Sequence, residues 1–355
     1  MNTEARIEIQ TPLQGSAECW KIDHVSSPLF VKFTGEELSS SDFVDLIRDQ
    51  RSVLDALALE HGGVVLRETP IKDAGQFNEF SSVFPQYDQG YVGGAGPRSA
   101  VSGNVWEATK VDPRYKITIH QEMAYMANYP AQIAFHCAKP AEEGGETIVA
   151  SMTEFMKAIP ASLGKRLREH GIRGVRNYAP AHDADGKKIV QHIDEKSWDE
   201  VFDTDVKSEV DQICSEKGME PIWNEDGTLT LVTYMDAFTR HPRLGTDFYR
   251  NIIHINFADS DLGRDDEEQK ERLSKQKLPT GYTLGDGSPL SDEDRASLET
   301  ALDEVTLAWR WEAGDIMLLD NLQMGHGRNP YAGERETFVV LLGDGPAENA
   351  APLAA

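Results

Sequence analysis

Short apolar runs rich in Ile, Val, Thr, Phe and Tyr, broken by Gly, Pro and Asn, stand on both sides of a long helical and polar stretch. Lys116–Ile119, Ala131–Cys137 and Thr147–Ala150 come before it, and Asp315–Leu319 and Thr337–Leu342 come after it. Runs of this composition read as strands of a sandwich or barrel. Because the two groups are so far apart, the sheet they form must close across a long sequence gap. This predicts a mainly β protein with flanking helices, in which a helical insert interrupts the barrel.

Helical sequence is clearest where Phe43, Leu46, Ile47, Val53, Leu54, Leu57 and Leu59 recur at near-helical spacing, predicting a helix over Asp42–Leu59. Gly62-Gly63 ends it and Val64–Leu66 begins a strand. A second helix is expected over Ala74–Phe84, stopped by Pro85. Met152–His170 reads as one helical segment, and the polar stretch Tyr178–Glu225 contains a helix near Asp205–Lys217. With no internal repeat and no long Pro/Gly/Ser linker, residues 1–355 are expected to form a single domain. Its helical and polar insert would span approximately 152–225, and a flexible tail approximately 344–355.

Composition excludes several classes. Hydrophobic residues at 39% and charged residues at 27% match a soluble folded protein, and no run is apolar enough to span a bilayer, so a cytoplasmic protein is expected. The net charge of −25 repels phosphate backbones and argues against a nucleic-acid partner. Cys19, Cys137 and Cys214 form no C-x-x-C pair and suggest neither disulfides nor a cysteine zinc site. The acidic run Asp259–Glu268 matches no calcium-loop spacing and reads as a solvated face. Lys165, Arg166, Arg168, Arg173 and Arg176 form a basic cluster, read as a solvated helix face or as a docking patch for an acidic carrier protein.

Two segments carry candidate chemistry. On an extended chain, residues i and i+2 face the same way, so His120 and Glu122 can converge on one point. Far downstream, a strand ending at Leu319 leads into a polar loop holding His326, and Arg335 follows at the start of another apolar strand. Arg335, Thr337 and Val339 would share one face of that strand, and a buried guanidinium there demands an anionic partner. Two imidazoles and a glutamate suit iron, but also catalytic zinc or a cupin-like binding protein. His136, His241 and His254 read as ordinary core or surface histidines.

The segments ITIHQEMAYMANYP (117–130), AEEGGETIVAS (141–151) and LDNLQMGHGRNPYAGERE (319–336) resemble the metal and cosubstrate motifs of the taurine dioxygenase superfamily. Glutamate in place of aspartate at 122 is similar to its clavaminate synthase branch, and 102–105 and 198–202 resemble the syringomycin-pathway aspartyl hydroxylase. The resemblance runs from about Gly62 to Gly343 and implies a double-stranded β-helix, or jelly roll. It further implies an Fe(II)- and 2-oxoglutarate-dependent oxygenase using O2, with His120, Glu122 and His326 on the metal. Arg335 and Thr147 would bind the far carboxylate of 2-oxoglutarate, and Arg98, Asn104 and Arg114, just before the metal motif, would either contact substrate or belong to an exposed loop. The substrate would be an amino acid or a derivative, free or tethered to a carrier protein. Glu122 keeps a carboxylate on the metal and so argues for hydroxylation over halogenation, with desaturation or cyclisation as alternatives.

Overall fold

The structure is a computed structural model describing residues 5–14, 16–88, 100–108, 111–126, 128–180, 197–255 and 281–344. Two facing sheets form a jelly roll. The larger has nine strands in the order Arg6–Glu8, Ala17–Ile22, Leu29–Phe33, Gly63–Leu66, Ile316–Asp320, Pro130–Lys139, Glu336–Asp344, Val105–Glu107, Ala100–Ser102. The smaller has four, in the order Thr306–Leu307, Thr147–Ser151, Met324–Arg328, Ile117–His120. In both sheets a strand from beyond residue 300 lies between strands from before residue 152, which is the long-range closure expected from the sequence.

Strand alternation assigns each face of the large sheet its own core. Phe30, Val65, Ile133, Phe135, Cys137, Met317, Leu319, Val339 and Leu341 face the smaller sheet and form the barrel interior. Their neighbours Leu29, Val31, Val64, Leu66, Ala134, Ile316, Leu318, Phe338, Val340 and Leu342 face the other way, under helices Ser40–His61 and Ala74–Ser81. The first helix begins where the Ser39 hydroxyl accepts from the Asp42 N–H, and ends at Gly62, whose φ of 74° favours glycine. Its Phe43, Ile47 and Leu54 are at most 2% exposed, each such side chain contributing about 1.5–3 kcal/mol relative to exposure.

The expected helix Met152–His170 is two helices, Met152–Ala158 and Ala161–His170. Pro160 divides them because it forces Ile159 into extended backbone, with ψ of 130°. The helix from Ala74 ends at Ser81, four residues before Pro85. The region of the expected insert contains strands as well as helices. Besides helices Trp198–Phe202 and Lys207–Glu216 it holds a four-stranded antiparallel sheet, Met219–Trp223, Leu229–Met235, Ile172–Tyr178, Gly281–Leu284, which extends beyond residue 225. Its Ile172, Tyr178, Leu231, Tyr282 and Leu284 join the same apolar cluster as the barrel interior. The acidic run 259–268 and the tail beyond 344 lie outside the described residues. No described helix is long and apolar enough to cross a membrane.

Candidate metal centre

His326 lies on a strand, not in the loop that its polar, glycine-rich surroundings suggested. Strand Met324–Arg328 pairs with Thr147–Ser151 on one side and Ile117–His120 on the other, placing His326 directly opposite His120. The glycines on either side mark close backbone approach. A Cβ on Gly327 would lie 2.3 Å from the Ile117 carbonyl oxygen, and one on Gly325 2.6 Å from Ile119 Cγ2. The two imidazole centroids are consequently 4.5 Å apart, and the His326 ring also meets Phe135 of the large sheet edge-on at 5.1 Å.

Glu122 leaves the end of strand Ile117–His120 and completes the set, with one carboxylate oxygen 3.8 Å from His326 Nε2. Donor atoms of His120, Glu122 and His326 all fall within 4.8 Å of one another. Donors about 2.1 Å from a shared ion stand roughly 3–4 Å apart, so a slight contraction closes the set on one ion. The chemistry fits as well. His120 Nδ1–H donates to the Thr118 carbonyl at 2.9 Å, which leaves Nε2 with its lone pair for a metal. Glu122 is 2% exposed, and a carboxylate that deeply buried requires positive charge nearby.

Five residues outside the expected set, Asn321, His241, Tyr249, Arg250 and His254, brace the segments that carry these side chains. Asn321, fully buried, bonds both backbone groups of Glu122. His241 Nδ1 accepts from the N–H groups of Arg243 and Leu244, so its Nε2–H donates to Asp320 Oδ2 at 2.9 Å. His254 Nε2–H donates to the Ile119 carbonyl at 2.8 Å, and Tyr249 O–H donates to its Nδ1. Burial lowers the His254 pKa to about 4, so the ring is neutral at pH 7. Arg250 Nη1 donates to the Met126 carbonyl at 2.8 Å while its guanidinium covers the Tyr129 ring at 4.2 Å. His241, Tyr249, Arg250 and His254 all come from beyond the expected insert boundary, and only their positions in the fold reveal their part.

Arg335 immediately precedes strand Glu336–Asp344, with Nε donating to the Gly145 carbonyl at 3.0 Å. Burial foremost, and the nearby Arg328 charge, lower its pKa from the usual arginine value. Thr147, two residues after Gly145 and 3% exposed, accepts from Trp311 Nε1–H at 2.9 Å, which leaves its own hydroxyl hydrogen available to a ligand. Arg328 is committed elsewhere, its Nη groups donating to the carbonyls of Val111, Asp112 and Tyr115.

Two of the three expected substrate residues are described. Asn104 is exposed at the edge of the large sheet, bonded to Asn78 and Gln86, and Arg114 is exposed and paired with Asp112. Arg98 lies outside the described residues. The basic cluster is dispersed: Lys165, Arg166 and Arg168 pair with Glu169, Asp294 and Asp247, while Arg176 turns onto the Tyr125 ring at 3.8 Å.

A jelly roll presenting two histidines on adjoining strands and one carboxylate from the turn after one of them defines the class of mononuclear non-haem iron oxygenases. The taurine catabolism dioxygenase TauD, TfdA family matches residues 26–342, and the chain belongs to it. A clavaminate synthase-like protein of Arabidopsis thaliana is 31% identical over 340 residues, covering 94% of this chain and 98% of that protein. A dapdiamide synthesis protein of Enterobacter agglomerans is 27% identical over 290 residues, covering 81% and 84%. The fold is shared with PvcB, an iron, 2-oxoglutarate-dependent oxygenase from an isonitrile synthetic pathway, at TM-score 0.53, 15% identity and 95% coverage of both chains. The chain is thus a non-haem iron dioxygenase of the clavaminate synthase-like branch, using Fe(II), 2-oxoglutarate and O2.

Proposed function

We propose that His120, Glu122 and His326 bind the iron, that Arg335 and Thr147 bind 2-oxoglutarate, and that the enzyme hydroxylates an unactivated carbon of an amino acid or amino-acid derivative. The convergence of the three donors within 4.8 Å carries this reading. Bound iron supplies oxygen activation coupled to decarboxylation of the cosubstrate. The protein holds His120 in the tautomer that offers Nε2, and it keeps Glu122 away from water. Arg335 would supply a cation and Thr147 a hydroxyl hydrogen to the far carboxylate of 2-oxoglutarate. The relative named for dapdiamide synthesis supports a role in specialised biosynthesis. The apolar cluster shared by insert and barrel supports a single oxygenase domain.

With Fe(II) and 2-oxoglutarate under anaerobic conditions, the wild-type protein should develop a visible charge-transfer band, and His120→Ala and His326→Ala should not. Under oxygen, an amino-acid panel, free and carrier-bound, should yield succinate and products heavier by one oxygen. Full turnover by either histidine variant would refute the ligand assignment. A panel giving only products lighter by two hydrogens would replace hydroxylation with desaturation or cyclisation.

A further inference from the structure

The turn carrying Glu122 is held by a side chain whose arrangement goes beyond what packing requires. Just past strand Ile117–His120, Met123 has φ of 55°. That left-handed conformation costs a non-glycine residue about 1–2 kcal/mol and persists only where its surroundings enforce it. Asn321 enforces it from the strand-end turn before His326. Its Oδ1 accepts from the Glu122 N–H at 2.8 Å, and its Nδ2 donates to the carbonyls of Glu122 and Pro130, each at 2.9 Å. Its own N–H donates to the Ala131 carbonyl at 3.0 Å.

One planar amide therefore grips the Glu122 backbone on both sides of its Cα, leaving only side-chain torsions to place the carboxylate. We propose that Asn321 is the positioning residue for Glu122, aiming its carboxylate at His120 and His326 so that the three-donor set is formed before a cation arrives. The neighbouring Gln121 braces the same junction by donating from Nε2 to the Leu322 carbonyl at 2.9 Å. Aspartate at 321 would set an acceptor oxygen against two carbonyls, and alanine would leave all three Glu122 and Pro130 groups unmatched. This inference rests on Glu122 being a metal ligand.

Co(II) titration followed through its visible d–d bands, alongside thermal melting, separates a positioning role from a merely structural one. Asn321→Ala and Asn321→Asp should raise the Co(II) dissociation constant about 10–100-fold and alter the band shape, as loss of a ligand's supporting contacts does. Gln50→Ala is the control. Gln50 is 3% exposed and bridges the Gln14 N–H and carbonyl at 2.7 Å each, in the helix on the other face of the large sheet. This change should lower the melting midpoint without moving the constant or the spectrum. If Asn321→Ala does not fold, the near-isosteric Asn321→Asp reads the same constant. Wild-type constant and spectrum in a folded Asn321 variant would overturn the positioning role. Failure of the wild type to bind Co(II), or unchanged binding by Glu122→Ala, would instead overturn the metal assignment beneath it.

Discussion

Replacing Arg335 with alanine should separate cosubstrate binding from metal binding. The guanidinium has already been removed from most of its water, keeps one hydrogen bond to Gly145, and forms no ion pair with any described residue. Burial and the Arg328 charge both disfavour its cationic form, so an arriving carboxylate relieves an existing strain. Removing one member of a buried charged pair costs about 2–4 kcal/mol. At about 1.4 kcal/mol per tenfold, 2-oxoglutarate should bind about 30- to 700-fold more weakly. Arg335→Lys should fall between, because it keeps the charge and loses the planar fork. Anaerobic titration of the Fe(II)-loaded protein with 2-oxoglutarate measures this, and Fe(II) affinity measured separately should stay nearly constant. Arg328→Ala supplies the contrast, since the carbonyls it releases should lower stability more than cosubstrate affinity. Wild-type 2-oxoglutarate affinity in Arg335→Ala would show that the anchor lies elsewhere.

Trp311→Phe removes the N–H that fixes the Thr147 hydroxyl and should weaken 2-oxoglutarate by about 1 kcal/mol, or roughly fivefold, with Fe(II) affinity unchanged. Equal affinities in the two proteins would remove Thr147 from the pocket. Burial between Phe77 and Phe338 lowers the His136 pKa to about 4 from 6.5. Between those values the unfolded chain holds a proton that the native state does not, so stability falls as pH drops, by about 1.4 kcal/mol per unit. His136→Phe should therefore reduce the loss of unfolding free energy between pH 7 and pH 5 by about 2 kcal/mol in urea melts. Asp315, raised to about 6 mainly by burial, acts in the opposite sense but equally in both proteins. An unchanged pH dependence would count against a neutral buried His136.

The parts of the fold with a strong local period were readable from sequence. Helix Ser40–His61 and strands Gly63–Leu66, Pro130–Lys139 and Glu336–Asp344 fall close to their expected bounds, because burial dictates each pattern, on one face of the helix and on both faces of the strands. His120 and Glu122 were legible as a pair from their H-x-E spacing, although Glu122 lies in the turn beyond strand Ile117–His120 and not on an extended segment with it. His326 was legible as a residue but not as part of a strand, because glycine signals a turn in sequence whereas here it signals the proximity of Ile117 and Ile119. The insert sheet was hidden because Arg173, Arg176 and Asn177 give strand Ile172–Tyr178 a polar texture, and its partner Gly281–Leu284 lies a hundred residues away. His241, Arg250 and His254 were unreadable for a similar reason. Their bonds go to backbone carbonyls and an aspartate in remote segments, and these leave no periodic trace.

The strand bearing His326 lies between two strands synthesised long before it, and Asn321 follows Glu122 by 199 residues. At translation speeds of about 5–20 residues per second, His120 and Glu122 emerge about 10–40 s ahead of their third partner. During that interval the chain offers a passing metal only an incomplete pair of ligands on an unfinished sheet. With the proposed ligands, iron loading is therefore a late event in the life of each molecule, coming after the gap between the two early strands is filled. On the proposed ligand set, a protein that carries metal has already joined its distant halves, so metal content in a preparation sets a lower bound on the correctly closed fraction.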